Sequence, residues 1–170
     1  MHLAEQFFID TWNDPKHLIH NRAVLRACLG MIQGTVLNPE IFVISAWIHD
    51  LGKLKDKERH HIESIPYLDT FILRFPEYKQ HYGLLHDCIL NHRTVCKPTT
   101  IYGEIFRVAD KVASQSNEWI EFKKNNKGPS RPPRRLHKNS LKEVRELRDL
   151  VRQRDYIVWS RTSFKNRIKI

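Results

Sequence analysis

The sequence predicts an all-α protein, on three observations. Apolar residues recur at helical spacing through most of the first 115 residues. Asp14-Pro15 and Asn38-Pro39 each combine an N-cap residue with a proline suited to the first turn of a helix. There is no sustained two-residue alternation of the kind that a half-buried strand requires. We therefore expect a bundle of about six helices, followed by a basic extension that carries one further helix.

The first three helices are predicted from these signals in turn. Residues 3–13 place apolar side chains roughly three to five positions apart, which predicts a short helix. The second helix is expected from Pro15 to about Met31. The third is expected from Pro39 to His49, and because it is apolar on all sides we expect it at the centre of the bundle.

Three more helices are predicted in the second half of this region. Apolar residues recur at helical spacing over residues 59–75, 82–92 and 99–114. Pro76 ends the first of these helices, because a proline inside a helix removes a hydrogen bond. The six helices together make residues 1–115 one predicted domain.

Charge divides the chain into two parts. Residues 1–115 contain 13 Lys and Arg and 13 Asp and Glu, whereas residues 116–170 contain 16 and 6. The net charge of +10 therefore lies entirely in the second part, which we treat as a separate basic extension. Within it, residues 123–135 are basic and proline-rich and predict a linker, and a capping box from Ser140 to Glu143 predicts an amphipathic helix.

Membrane insertion and secretion are not expected from this sequence. No run approaches the roughly 18 apolar residues that span a bilayer. The first residues lack the basic segment of a secretory signal. We therefore expect a cytoplasmic protein that does not enter a membrane.

The chemistry of this protein is indicated by its histidines and aspartates. His49 ends the apolar third helix and is followed at once by Asp50. Burying an imidazole beside a carboxylate is costly unless both are satisfied, and a divalent cation satisfies both together. The pair therefore indicates a metal site. The candidates for the remaining ligands come from four other helices, as in metal sites at the centre of helical bundles, and are His20, His61, His92 and Asp110.

Three other interpretations of these histidines and aspartates compete with this metal site. His17 lies three residues before His20 on the same helical face, and either could be the ligand. His86-Asp87 is a second doublet, but we interpret it as unrelated because adjacent residues inside a helix point about 100° apart. An ordinary network of helix-end carboxylates and histidines would also explain the pattern.

The motifs around these residues resemble those of the HD-domain metal-dependent phosphohydrolases. Five elements occur in the order found in that family, across about residues 15–115. They are HNRAVLRA with His20, WIHDLGK with His49 and Asp50, HIESIPYL with His61, ILNHR with His92, and RVADKVAS with Asp110.

The resemblance implies specific roles for these residues. His20, His49, Asp50 and Asp110 would hold a first metal, and Asp50 would bridge to a second metal held by His61 and His92. Lys53 would lie near the substrate phosphate, so Asp50 and Lys53 are the implied catalytic residues. The chain departs from the cyclic dinucleotide-cleaving branch, which has His-His where this sequence has His92-Arg93, and from trinuclear members, which have Glu where it has Lys16. We therefore do not predict hydrolysis of cyclic-di-GMP.

The expected function is metal-dependent hydrolysis of a phosphate ester or anhydride in a nucleotide or small phosphorylated metabolite. Imidazole and carboxylate ligands suit one or two ions of Mn, Fe, Co, Ni or Zn. Two alternatives stay open: a metal-dependent nuclease acting on single-stranded DNA or RNA, and a non-catalytic nucleic-acid-binding or regulatory module with a structural metal. The basic residues 123–170, with nearby aromatic side chains such as Trp119, would supply the nucleic-acid contacts in either case.

Overall fold

A computed structural model describes residues 1–125 together with residues 146, 147 and 149, and this part of the chain contains helices and no strand. The all-α prediction is therefore confirmed for the described residues. The α-helices are α1 (Leu3–Thr11), α2 (Pro15–Ile32), α3 (Pro39–Ile48), α4 (His60–Glu63), α5 (Ile65–Arg74), α6 (Tyr82–Leu90), α7 (Ile101–Ala113) and α8 (Asn117–Asn125). Two 3-10 helices, Leu51–Leu54 and Pro76–His81, connect α3 to α4 and α5 to α6.

Side-chain caps begin the longer helices where the sequence predicts them. The carboxylate of Asp14 accepts a hydrogen bond from the amide of Lys16 at 3.3 Å, and the side chain of Asn38 accepts one from the amide of Glu40 at 3.0 Å. Each cap is followed by a proline whose missing N–H costs nothing in the first turn. The predicted starts of α2 and α3 are confirmed.

Helix α3 lies at the centre of the bundle, as its all-apolar sequence predicts. It packs against α1, α2, α6 and α7. The ring of Trp47 on α3 lies 5.6 Å from that of Phe8 on α1, and both side chains are buried. Helices α4 and α5 pack against each other and against α6, and α2 and α7 lie side by side.

The helix predicted over residues 59–75 is divided in two at Ser64. The hydroxyl of Ser64 donates to the carbonyl of His49 at 2.6 Å and accepts from the amide of Gly52 at 2.8 Å. Pro66 has no amide hydrogen with which to continue the hydrogen-bond ladder of α4. The helix therefore restarts as α5, and the short α4 is tied to the end of α3.

Helix α8 extends the folded region beyond residue 115. It packs against α2, and Trp119 on α8 is only 7% exposed. The sequence predicts no helix here, because residues 116–125 are predominantly polar. Residues 146, 147 and 149 are helical and Leu147 packs against the core, whereas the rest of the predicted linker and last helix lies outside the described residues.

No helix in the described part of the chain combines the length and the apolar character needed to cross a membrane.

Candidate metal centre

Two groups of potential metal-binding side chains meet at the carboxyl end of α3. The first comprises His20, His49 and Asp50, and the second comprises Asp50, His60 and His92. Within each group the candidate ligand atoms lie within 4.8 Å of one another. Asp50 belongs to both groups, so the two form one continuous cluster.

Each ligand comes from a different position in the fold. His20 lies within α2, His49 follows the last residue of α3, and Asp50 begins the 3-10 turn after it. His60 is the first residue of α4, and His92 comes two residues after the end of α6. The packing of these helices around α3 therefore brings the donors together.

The first group has distances suited to a single ion. The Nε2 atoms of His20 and His49 lie 3.7 and 3.5 Å from Oδ2 of Asp50. Oδ1 of Asp110, in the last turn of α7, lies 3.0 Å from Nε2 of His20 and 3.8 Å from Nε2 of His49. Ligands about 2.0–2.2 Å from a transition metal are about 3.3 to 3.6 Å from one another in tetrahedral geometry. Small side-chain shifts would thus accommodate a metal.

The second group lies on the other side of the Asp50 carboxylate. Oδ1 of Asp50 is 3.5 Å from Nε2 of His60, which is 3.0 Å from Nε2 of His92. Oδ2 of Asp50 therefore faces the first group and Oδ1 faces the second, so the two groups share this carboxylate.

Three of the histidines share one orientation. Their Nδ1 atoms lie beside backbone carbonyls: His49 with Ala46 at 3.1 Å, His60 with Lys57 at 2.9 Å and His92 with Ile89 at 2.7 Å. An Nδ1–H that donates to a carbonyl leaves the Nε2 lone pair available, which is the usual arrangement of metal-binding histidines. Nε2 of His49 is buried and has no hydrogen-bond partner among the described residues. The donors therefore fit a metal.

Burial and charge hold these groups in metal-binding protonation states. Burial lowers the pKa of His49 to about 3 and that of His60 to about 4, so both imidazoles are neutral at pH 7. Burial alone would raise the pKa of Asp110, but its hydrogen bond with His20 holds it at about 2. The pKa of Asp50 lies well below its usual value because His49 and Lys53 outweigh the effect of burial. Neutral imidazoles and ionised carboxylates are the forms that bind metals.

His60, rather than the predicted His61, lies in the cluster. The reason is geometric, because neighbouring residues on a helix point about 100° apart and only one of them faces Asp50. The ring of His61 lies 5.9 Å from that of His60, and burial together with the charge of Arg93 lowers its pKa. His60 is not among the ligands predicted from the sequence, and its one signal there is the adjacent His-His pair.

The two competing histidine sites are not among the grouped ligands, and both make contacts of a structural kind. His17 contacts the carboxylate of Asp14 and stacks 3.9 Å from the ring of Trp12. In the second doublet, Asp87 accepts hydrogen bonds from the amides and hydroxyls of Thr99 and Thr100, which fixes the start of α7. His20 is therefore the α2 histidine in the cluster, and Asp87 serves the packing of α6 on α7.

Gly52 allows the close approach of α4 that places His60. A Cβ at this position would lie 2.6 Å from the amide nitrogen of Ser64, and closer still to the carbonyl oxygen of His60. Both atoms belong to the backbone and cannot move aside as a flexible side chain would. The glycine in the His-Asp-Leu-Gly-Lys stretch is therefore a packing requirement of the centre.

A cavity of about 310 Å³ opens beside the cluster. Its lining combines candidate ligands with two cationic side chains and two hydroxyls. The lining residues are Asp50, Lys53, His60, His92, Arg93, Thr94, Val95, Asp110 and Ser114. The Nζ of Lys53 contacts Oδ2 of Asp50 at the edge of this space. The cavity is therefore a candidate ligand site next to the candidate metal ligands.

Trp119 covers the side of the cluster formed by His20. Its ring lies 5.2 Å from that of His20, and Nζ of Lys16 lies 5.8 Å from its centroid. Trp119, named above among the rings that could stack on nucleic-acid bases, is buried against the body and does not present its face to solvent. Most of residues 123–170, the predicted nucleic-acid contact, lies outside the described residues.

The resemblance to the HD-domain phosphohydrolases depends on the motifs that supply this cluster. Five residues of those motifs lie together in the structure, namely His20, His49, Asp50, His92 and Asp110. The sixth, His61, lies outside the cluster, and His60 occupies the expected place. In comparisons with protein-family models, curated proteins and solved structures, no match to this chain was found.

Proposed function

We propose that the protein is an HD-type metal-dependent phosphohydrolase that acts on a nucleotide or another small phosphorylated metabolite. The observation that carries this proposal is the convergence of oriented histidines on the buried carboxylate of Asp50, beside a cavity lined by cationic groups. A structural metal would not require an adjoining cavity with Lys53 at its edge.

The described side chains suggest how two ions would be held. His20, His49, Asp50 and Asp110 would bind one ion, and Asp50 with His60 and His92 would bind the other. The mixture of imidazoles and carboxylates suits Mn, Fe, Co, Ni or Zn. Bound there, the metal would supply Lewis acidity, which acidifies water and neutralises charge on phosphoryl oxygens.

Lys53 and Asp50 would perform distinct tasks around the substrate. The ammonium of Lys53 contacts the Asp50 carboxylate, which holds the positive charge at the cavity edge. A phosphoryl group entering the cavity would meet this fixed charge, whose attraction grows as charge builds on the phosphoryl oxygens. The low pKa of Asp50 keeps its carboxylate ionised as a ligand across the physiological range.

The test is a double substitution compared with a matched control. His49→Ala combined with Asp50→Ala should abolish metal-dependent release of phosphate from a panel of nucleotides and sugar phosphates, while circular dichroism remains helical. His86→Ala, in the second His-Asp doublet, removes an imidazole that lies outside the cluster and should retain activity.

Elemental analysis of both proteins shows whether activity follows metal content. Full turnover by the double variant would refute the site assignment. Labelled single-stranded DNA and RNA belong in the same panel, since their cleavage without phosphate release from small esters would favour a nuclease instead.

A further inference from the structure

Arg93 is a second cation in the cavity, and the proposed metal site does not use it. It directly follows His92 on the loop between α6 and α7 and lines the cavity together with Lys53. Its Nη1 donates a hydrogen bond to the carbonyl of Glu58, just before α4. The guanidinium is thus held between the two chain segments that supply His60 and His92.

The anchor of Arg93 leaves its charge available. The hydrogen bond with Glu58 goes to a neutral backbone carbonyl, so it positions the guanidinium without neutralising it. Arg93 also contributes, after burial, to lowering the pKa of His61. A fixed positive charge beside the candidate metal ligands is suited to an anionic ligand.

The number of positive groups around the cavity bears on the class of phosphate that fits. A phosphomonoester carries up to two negative charges on three terminal oxygens, whereas a diester carries one charge on two. Lys53 and Arg93 would present two positive groups to a bound phosphate, and a metal held by the candidate ligands would add a third, so the site suits a phosphate with three terminal oxygens. A terminal phosphate, such as that of a monoester, has this third oxygen, and a diester does not.

The other residues of the lining bear on whether the cavity recognises a nucleobase. Among the described residues, the lining has no Phe, Tyr or Trp on which a nucleobase could stack; its two imidazoles, His60 and His92, are candidate metal ligands, and the side chain of Val95 is largely exposed. Thr94 and Ser114 add hydroxyls that can hydrogen-bond an oxygen-rich group. Recognition at this cavity is therefore directed at the phosphate rather than at a base.

We propose that Arg93 is a substrate-binding residue that holds a terminal phosphate oxygen opposite Lys53, and that the substrates are phosphomonoesters. This inference rests on the proposed phosphohydrolase function and narrows its substrate class.

The experiment compares Arg93→Gln and Arg93→Lys with the metal-loaded wild-type protein. We expect Arg93→Gln to lower kcat/KM for p-nitrophenyl phosphate by about 10- to 100-fold, the usual effect of losing a charged hydrogen bond. For bis(p-nitrophenyl) phosphate the change should stay within about threefold, because the diester lacks the third terminal oxygen. Arg93→Lys should recover part of the loss. Arg74→Gln, on the outer face of α5, is the matched control and should change neither rate.

Calorimetric binding of inorganic phosphate to the same metal-loaded proteins separates this inference from the proposed function. Arg93→Gln should weaken phosphate binding by a similar factor, with metal content unchanged. Unchanged phosphate affinity in Arg93→Gln would overturn the assignment, and so would equal losses on monoester and diester. If the wild-type protein releases phosphate neither from these esters nor from the panel of nucleotides and sugar phosphates, the proposed function fails, and phosphate binding still decides the role of Arg93.

Discussion

The shared orientation of His49, His60 and His92 affects the free energy of metal binding as well as its geometry. Each ring is held by a backbone carbonyl at the end of a helix or turn, so its Nε2 atom has one direction before any ligand arrives. Preset orientation reduces the entropy lost on binding, and the carbonyl raises the basicity of the opposite nitrogen. We therefore expect an ion at this centre to exchange slowly.

The adjacent histidines of α4 provide a matched pair of substitutions. His60→Ala should lower the metal content by about one ion per chain, because it removes a donor that faces both Asp50 and His92. His61→Ala should leave the metal content unchanged. Elemental analysis after equilibration with Mn²⁺ or Zn²⁺ and removal of excess ion measures both. Loss of metal from His61→Ala alone would reverse the assignment.

The sequence could not predict which of His60 and His61 lies in the cluster. His49 and Asp50 could be recognised because a long apolar helix ends at them, which fixes their position relative to the core. His60 and His61 begin a helix of four residues, and such a helix has too few apolar positions to define its buried face. Only the contact of α4 with the turn at Gly52 decides which ring points inward.

At the scale of the elements, the turn between α3 and α4 determines the position of the second group. Gly52→Ala should lower the free energy of unfolding by about 1 to 3 kcal/mol or more, because its Cβ would overlap the backbone of α4. Gly83→Ala on α6 is the matched control, since nothing lies within 4 Å of a Cβ there, and it should be neutral or stabilising by up to about 1 kcal/mol.

Urea unfolding monitored by circular dichroism compares the two glycine variants. Because displacement of α4 moves His60, we also expect Gly52→Ala to lose metal under conditions in which Gly83→Ala retains it. Equal stability of the two variants would show that α4 can shift without cost.

Helix α8 gives the centre an internal spectroscopic reporter. Trp119 lies 5.2 Å from His20, so binding of a paramagnetic ion such as Co²⁺ at the first group should quench its fluorescence. Trp119→Phe should remove the larger part of this quenching and keep metal binding, measured by elemental analysis. Full quenching in Trp119→Phe would place the ion elsewhere.

The elements differ in how far they could be predicted. Helices α2 and α3 begin where an Asx-Pro pair supplies both a cap and a suitable first turn, which is local information. The break at Ser64 depends on a hydroxyl that contacts His49 and Gly52, and the docking of α8 depends on one buried tryptophan. These are tertiary contacts between separate helices, and helical periodicity carries no signal for them.

At the scale of the whole molecule, the buried histidines make stability depend on pH. His49 and His60 have pKa values of about 3 and 4 in the folded protein, below the value of 6.5 expected when unfolded. Below pH 6.5 the unfolded chain therefore binds protons that the folded chain does not, and stability falls as the pH decreases towards about 4. Each group contributes a slope of up to about 1.4 kcal/mol per pH unit.

Urea unfolding of the metal-free protein in a chelator, at several pH values between 7.5 and 4.5, measures this dependence. His60→Ala should reduce the slope because one titrating group is gone. A free energy of unfolding that stays constant from pH 7 to 5 would contradict the burial of neutral imidazoles.

The ligands of the centre are spread from His20 to Asp110, and among them only His49 and Asp50 are neighbours in sequence. An ion bound there would close long loops of the chain in the manner of a cross-link, but a reversible one. The unfolded chain cannot assemble the same set of ligands without paying the entropy of closing those loops. Binding should therefore stabilise the fold in proportion to the logarithm of free-ion concentration, and the ion should join the chain only late in folding.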